Sequence, residues 1–190
     1  MPRVVPDQKT KFETDELFKK LSQEIDVKYT AHRDRPVEER KRKFTEELAE
    51  GHSIITFVST GTNLTLQFCP SGLSEENPTN TRPSSENVDF TTDPNRVYLR
   101  SRFIMNGVCV LWVGWIDLET LNGKAKLMYD EEQAKLEDEL MRKVVKETQE
   151  RVRLFEENQR RWQAEHQQHQ QHQQHLQPSP MAQQPLSQPQ

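Results

Sequence analysis

A chain of 190 residues is long enough for one well-packed domain and an appendage, because single domains usually hold about 100 to 150 residues. The formal net charge is −4, which argues against a protein whose main role is to grip nucleic-acid phosphates. No stretch approaches the roughly 20 apolar residues of a membrane helix, and the first residues lack the apolar core of a signal peptide, so we predict an intracellular protein without a membrane contact.

Two helices are predicted in the first third of the chain. Residues 15–28 have apolar side chains at helical spacing, and Thr14 is placed to cap them. A second helix begins at Pro36, which favours the first helical position, and ends before Gly51, which suits a left-handed cap. Its apolar face is thin and the rest of it is charged, so we expect this helix on the surface of the domain.

From Ser53 the apolar period changes to two, which indicates strands. The runs 54–58 and 64–68 are strand-like and are joined by turn-forming residues at 59–63. Residues 71–86 are Ser, Glu, Asn, Thr and Pro with little to bury, and we predict a mobile surface loop there.

A second hairpin is predicted around Asn106-Gly107, because both residue types accept a positive φ. It joins strands at about 97–104 and 108–116. The second of these is apolar at nearly every position, so we expect it to be central, with Gly114 allowing a bend or close packing.

The last third of the chain changes from a sheet to a helix and then to a polar tract. Asn122-Gly123 predicts a turn before a short strand at 125–129. Asp130 can cap a long helix whose apolar stripe is dense at its start, where we expect it to pack on the sheet. From Gln163 onward His-Gln repeats and Pro-Gln-Ser predominate, a composition that favours disorder.

The sequence contains no pattern typical of catalysis. P-loop, GxGxxG, GxSxG and HExxH motifs do not occur, and the acidic residues lie beside Lys and Arg as on solvated faces. Cys69 and Cys109 lie in apolar runs and are expected to be reduced core residues. His32 and His52 are expected in structural or surface roles.

Four tail histidines recur every three residues and could bind a transition metal if they were helical, but a tract without an ordered site is favoured. They are His166, His169, His172 and His175. We therefore predict no enzyme activity, cofactor, metal or small-molecule substrate.

Two features could instead serve nucleic-acid binding. The basic cluster from Arg33 to Lys43 could contact phosphates, but glutamates share its helix, and local cancellation of charge is favoured. Trp112 and Trp115 lie three apart in a strand, so they point to opposite faces, and one could stack a base in an open barrel. A packed core position is favoured, and single-stranded nucleic-acid binding stays as the alternative function. A scaffold that works only through its C-terminal helix is a third possibility.

Five strings, in matching order and spacing, carry a resemblance to a known family. They are Met1-Pro2-Arg3-Val4-Val5-Pro6-Asp7-Gln8, Arg33-Asp34-Arg35-Pro36, Thr60-Gly61-Thr62-Asn63-Leu64, Asn106-Gly107-Val108-Cys109-Val110 and Gly114-Trp115-Ile116-Asp117-Leu118. The chain closely resembles the core-binding factor beta subunit, the partner of Runt-domain transcription factors. The resemblance covers about residues 1–135, and the His/Gln tail is unlike the vertebrate subunit.

The resemblance implies an α+β fold, a partly open six-stranded antiparallel β-barrel with flanking helices, over residues 1–135. A polar extended helix at 136–162 and a low-complexity tail at 163–190 would follow. The resemblance also implies a non-DNA-binding regulatory subunit that forms a heterodimer with a Runt-domain transcription factor. This subunit would allosterically raise the affinity of the Runt-domain partner for DNA. Such a coactivator would contact DNA only through its partner. It would be nuclear when bound to that partner and otherwise cytoplasmic.

Nine residues are carried over to the partner-binding surface. They are Arg3, Val4, Gly61, Thr62, Asn63, Gln67, Phe103, Met105 and Asn106. Gly61 would let two backbones approach closely, and Asn63 and Asn106 would form amide-to-backbone hydrogen bonds. Met105 would supply apolar contact. Arg102 and Phe103 depart from the family pattern.

Overall fold

A computed structural model describes residues 3–68 and 84–175, with 167–175 as backbone alone. Contacts divide the chain into two units, one ending at Met141 and one beginning at Arg142. The helices are α1 (Gln8–Thr14), α2 (Glu16–Leu21), α3 (Val37–Glu50) and α4 (Glu131–His175), and the strands are β1 (Ile25–Tyr29), β2 (His52–Phe57), β3 (Thr62–Gln67), β4 (Val88–Asp93), β5 (Arg96–Met105), β6 (Val108–Asp117) and β7 (Asn122–Tyr129).

The strands form one antiparallel sheet in the order β3-β2-β1-β7-β6-β5-β4. The sheet curls until edge strand β3 approaches β5, where the Ser101 hydroxyl donates a hydrogen bond of 2.7 Å to the carbonyl oxygen of Gln67. The predicted α+β class, with a partly open antiparallel barrel and flanking helices, is confirmed. The described sheet has seven strands, where the resemblance implied six.

The prediction of one helix over 15–28 is wrong in its second half. Helix α2 ends at Leu21, and β1 follows from Ile25. In β1 the buried side chains of Val27 and Tyr29 alternate with exposed ones, and the strand pairs with both β2 and β7. Pairing on both edges outweighs local helix propensity, which is a weak preference.

The start of the chain also differs from expectation. Helix α1 was not predicted, and its first turn is capped by Asp7, whose carboxylate accepts from the amide of Thr10 at 3.1 Å. Helix α2 is capped by Asp15 rather than by Thr14. A carboxylate at either position satisfies an amide that the helix leaves unpaired.

Helix α3 has the predicted C-terminal end and the predicted thin apolar face, and it begins at Val37, one residue later than predicted. Gly51 adopts a left-handed φ of 87° at its C-terminus. Phe44 and Leu48 are buried in the core, whereas Val37 is exposed. The hydroxyl of Tyr29 donates to the Glu47 carboxylate at 2.8 Å, and burial followed by this bond raises the pKa of Tyr29.

Two glycines of the β6–β7 pair are explained by close approach of the backbones. A Cβ on Gly114 would collide with Ala125, so the predicted close packing is confirmed. The predicted turn at Asn122-Gly123 is wrong, because both residues lie within β7 and Leu121 supplies the positive φ, at 56°. Gly123 is needed because a Cβ there would collide with the Trp115 carbonyl group.

Helix α4 begins as predicted: the Asp130 carboxylate accepts from the amide of Gln133 at 3.2 Å. Ala134 and Glu137 in its first turns are buried, but Leu136 and Leu140 are each 52% exposed, so the expected packing of the apolar stripe on the sheet is wrong for these two leucines. The helix continues through His175, so the first part of the His/Gln tract is helical. The rest of the predicted tail, most of the predicted 71–86 loop and Cys69 lie outside the described residues. Among the described helices none combines the length and apolarity that crossing a membrane requires.

We expect Gly123→Ala to lower the free energy of unfolding by about 3 kcal/mol or more, because the strand must move to accept the new methyl group. Gly61→Ala is the matched control. Nothing lies within 4 Å of a Cβ at Gly61, and its φ is +67°, so only left-handed strain of about 1 to 2 kcal/mol applies. Urea denaturation of both variants measures the difference, and equal losses would contradict the close approach.

Candidate partner-binding surface

The tip of the β2–β3 hairpin presents a bare stretch of backbone. The chain turns between Phe57 and Thr62, and Gly61 in the turn has a φ of 67°. Its amide donates to the carbonyl oxygen of Phe57 at 2.9 Å. Gly61 is exposed and has open space where a side chain would be. Another protein can therefore approach this backbone closely.

Asn63 is held in place by a row of polar side chains that runs from β3 across β2 to the residue that follows β1. Thr56 lies directly opposite Asn63 in the β2–β3 register. The Thr56 hydroxyl donates to Oδ1 of Asn63 and lies 2.7 Å from the Thr30 hydroxyl. The Asn63 oxygen is thus used within the fold. The amide nitrogen of this exposed residue is the donor that it can offer to a partner.

Gln67 brings edge strand β3 next to β5. Ser101 accepts from the Gln67 amide at 3.2 Å and donates to its carbonyl oxygen at 2.7 Å. Strand β4 pairs with β5 only as far as Leu99. Beyond Leu99 this edge of β5 is not paired with another described strand, and the Ser101 bonds place it beside the unpaired edge of β3. We call these two edges, with the hairpin tips that adjoin them, the opening: β3 with its tip on one side, and Ser101 to Met105 with the Asn106 turn on the other.

Phe103 and Met105 lie on the β5 side of the opening. They follow Ser101 at intervals of two, so all three share the inner face of the strand. Both are half-buried and pack against the main hydrophobic core. They can supply apolar contact area to a partner without leaving that core.

Asn106 stands at the tip of the β5–β6 hairpin, as predicted. Met105 pairs with Val108, and Asn106 and Gly107 have positive φ values of 48° and 80°. These values are typical of a two-residue turn. The Lys11 ammonium group donates to the Asn106 carbonyl oxygen at 2.8 Å, while the Asn106 residue is exposed.

The N-terminal segment lies against this second tip. The Val5 amide donates to the Gly107 carbonyl oxygen at 2.9 Å, and a Cβ on Gly107 would lie 2.8 Å from the Val5 side chain. Val4 is 4% exposed and packs with Cys109. Its side chain therefore anchors the N-terminal segment in the domain beside the Asn106 turn. The Arg3 guanidinium pairs with the buried Glu137 at 2.9 Å, while its own side chain stays largely exposed.

Sequence reasoning missed the residue that holds the N-terminal segment, Gln8. Its side chain is 2% exposed. Its oxygen accepts from the Cys109 amide at 2.8 Å, and its nitrogen donates to the carbonyl oxygen of Ala134 at 3.3 Å and to the Asp138 carboxylate at 2.8 Å. A glutamine in a polar segment gives no sequence signal of burial, so only the tertiary contacts show this role.

The environment of Cys109 makes it a structural residue, as predicted. It is completely buried and is a free thiol. Burial, followed by the negative charge of Glu137, raises the pKa of the Cys109 thiol to about 11. The reactive form of a cysteine is the thiolate, and a thiol with a raised pKa stays protonated near neutral pH, so Cys109 is unreactive there.

The features that favoured nucleic-acid binding are used within the fold. Trp112 is fully buried, and the Arg96 guanidinium lies 4.1 Å from the centre of the Trp115 ring. Trp112 is therefore not available to stack on a base, and one face of Trp115 is occupied by Arg96. In the basic cluster, Lys41 pairs with Glu38 at 3.0 Å and with Glu119 at 2.6 Å.

Other cations of this cluster also pair with glutamates of the same helix, which confirms the predicted local cancellation of charge. Lys43 pairs with Glu46 at 2.8 Å, and Arg42 lies 3.7 Å from the same glutamate. His32 lies 3.2 Å from Glu47. Across the part of the chain that the structure describes, His, Cys, Asp and Glu side chains form no group of three that could hold a metal ion.

Comparisons with known proteins agree with the resemblance. The family described as core binding factor beta subunit matches residues 1–170, beyond the 135 residues of the predicted domain. Protein big brother of Drosophila melanogaster is 45% identical over 167 residues, which cover 88% of this chain and 75% of that protein. Protein brother of the same organism is 43% identical over 152 residues, which cover 80% and 68%.

We expect Gln8→Ala to lower the free energy of unfolding by about 2 to 3 kcal/mol, because the buried Cys109 amide would lose its acceptor. The exposed Gln23 serves as the control, and Gln23→Ala should change stability by less than about 0.5 kcal/mol. Hydrogen exchange reports the site directly. The Cys109 amide should exchange faster in Gln8→Ala only, and unchanged protection there would contradict the assigned contact.

Proposed function

The chain belongs to the core binding factor beta subunit family, and we propose that it is the non-DNA-binding regulatory subunit of a heterodimer with a Runt-domain transcription factor. The family consists of transcription-factor partner subunits rather than enzymes. One observation supports the proposal of a docking surface. Candidate residues from three separate segments of the chain lie along the opening and at the two hairpin tips. Arg3 and Val4 come from the first segment, Gly61 to Gln67 from the second and Phe103 to Asn106 from the third.

The chemistry of this surface fits a protein partner. The half-buried side chains of Phe103 and Met105 offer apolar contact area. The side-chain amides of Asn63 and Asn106 can form hydrogen bonds with a partner's backbone. Gly61 removes the steric barrier to such bonding. This mixture of apolar centre and polar rim is typical of interfaces between proteins that also exist apart.

The surface is ordered before a partner arrives. Thr56 orients Asn63, and contacts from Val5 and Lys11 hold the turn that carries Asn106. A preorganised surface loses little conformational entropy on binding, so more of the contact energy appears as affinity.

Contact with DNA would be indirect. The chain carries a net charge of −4, and the cations of α3 are paired or bonded within the fold. The partner would supply the phosphate contacts. Residence in the nucleus would follow from that partner, with a cytoplasmic population when it is absent.

We propose an allosteric mechanism for the gain in DNA affinity. A partner whose DNA-binding loops are mobile when it is alone must order them on DNA. A subunit that favours the ordered arrangement removes part of that cost beforehand. Couplings of this kind are typically about 1 to 3 kcal/mol, or roughly 5- to 150-fold in affinity.

Asn106→Gly should weaken Runt-domain binding about tenfold, because it removes the amide while suiting the left-handed turn. Gly61→Asn should weaken it similarly, because it places a side chain in the open space that a partner backbone would use, at a φ that Asn tolerates. Isothermal titration calorimetry measures both affinities, with circular dichroism as the check on folding.

The control for Asn106→Gly is Asn95→Gly, which removes an exposed amide from the turn at the other end of β5. We expect this variant to bind as tightly as the unaltered chain. Unchanged affinity in Asn106→Gly or Gly61→Asn would remove that residue from the interface.

DNA should tighten the heterodimer by the same factor by which this chain tightens the partner's hold on DNA, since coupling between two binding events is reciprocal. Titration of the partner with this chain, with and without a saturating cognate duplex, measures the factor. Equal heterodimer affinities in the two titrations would exclude the allosteric mechanism and leave the docking surface itself unaffected.

A further inference from the structure

Beyond Arg142, helix α4 carries a row of residues at alternating spacings of three and four. We call this row the seam: Val145, Thr148, Val152, Phe155, Gln159 and Trp162. Its large side chains are uncovered, with Phe155 64% and Trp162 62% exposed. Large aromatic side chains that stay exposed forgo the free energy of burial, which a covering surface would supply.

The spacing of the seam is that of a coiled coil. A repeat of seven residues keeps one face of a helix against a partner helix when the two supercoil. Val145 and Val152 fall at the first core position, where β-branched residues favour two parallel strands. The Thr148 hydroxyl donates to the Val144 carbonyl oxygen at 2.8 Å, so its polar group is already satisfied.

Charges beside the seam are complementary to those of a second copy of the same helix. Arg151 and Glu156 flank the seam on opposite sides and are five residues apart, the offset at which parallel, in-register helices form interhelical ion pairs. The symmetry of a dimer would form this pair twice. Among the described residues Arg151 has no carboxylate partner, and its guanidinium lies 3.4 Å from the Thr148 hydroxyl.

The remaining flanking positions do not oppose this arrangement. At the same offset, Val144 would face Gln149 and Asn158 would face Gln163 of a second copy. These pairs are uncharged, so no like charges meet along this stretch. Gln159 lies at a core position, where a polar side chain that seeks a partner across the seam favours a single register.

We propose that a second copy of this chain covers the seam and that the two helices form a parallel coiled coil over about residues 145–162. This inference does not depend on the proposed heterodimer, since it uses residues of the second unit alone. Each dimer would carry two copies of the first unit and hence two copies of the proposed docking surface.

Sedimentation equilibrium of the full chain over a concentration series tests the proposal. We expect the mass to rise toward twice the chain mass of 22.4 kDa. Phe155→Glu should weaken the dimer by about tenfold or more, because two like charges would meet in the seam. Leu154→Glu is the matched control: Leu154 is also exposed but lies outside the seam, so the dimer should persist.

A charge exchange tests the parallel arrangement. Arg151→Glu and Glu156→Arg should each weaken the homodimer, and an equal mixture of the two variants should restore a dimer, because both pairs between positions 151 and 156 then join opposite charges. A chain that stays monomeric throughout the series, or a Phe155→Glu variant as dimeric as the unaltered chain, would overturn the proposal. A mixture that stays as dissociated as its components would overturn it as well.

Discussion

The placement of the N-terminal segment between the β5–β6 hairpin and the start of α4 is the constraint on which the candidate surface depends. The buried amide of Gln8 bonds to Cys109, Ala134 and Asp138, which belong to two elements far away in sequence. A neutral amide suits this position because it accepts from one element and donates to the other. Through it, Arg3 and Val4 are held beside the hairpin tip that carries Asn106.

The second constraint is the incomplete closure of the sheet. Strand β3 meets β5 through the Ser101 side chain, where a closed barrel would have backbone pairing. This arrangement leaves two hairpin tips and two half-buried apolar side chains beside the opening, each supported from within the domain. An open edge is usually a risk of aggregation, so its presence in a folded domain agrees with a surface that a partner covers.

The two units follow the same physical rules with different outcomes. In the first unit, the large aromatic side chains of the core are buried by other elements of the same chain, as Phe18, Phe44 and Trp112 are. In the second unit, residues as large as Phe155 and Trp162 are exposed. A helix of this length can persist on intrahelical ion pairs such as Glu157–Arg161 at 3.0 Å, but these pairs do not cover an apolar row.

Local chemistry by itself determined several features of this protein. The turn at Asn106-Gly107, the end of α3 at Gly51 and the start of α4 at Asp130 depend on φ preferences and capping bonds that act within a few residues. The strand character of 25–29, the positive φ of Leu121 and the role of Gln8 were decided only by the tertiary structure. In each of these cases the contacts come from distant segments, and their combined energy exceeds a local preference that is weak, absent or opposed.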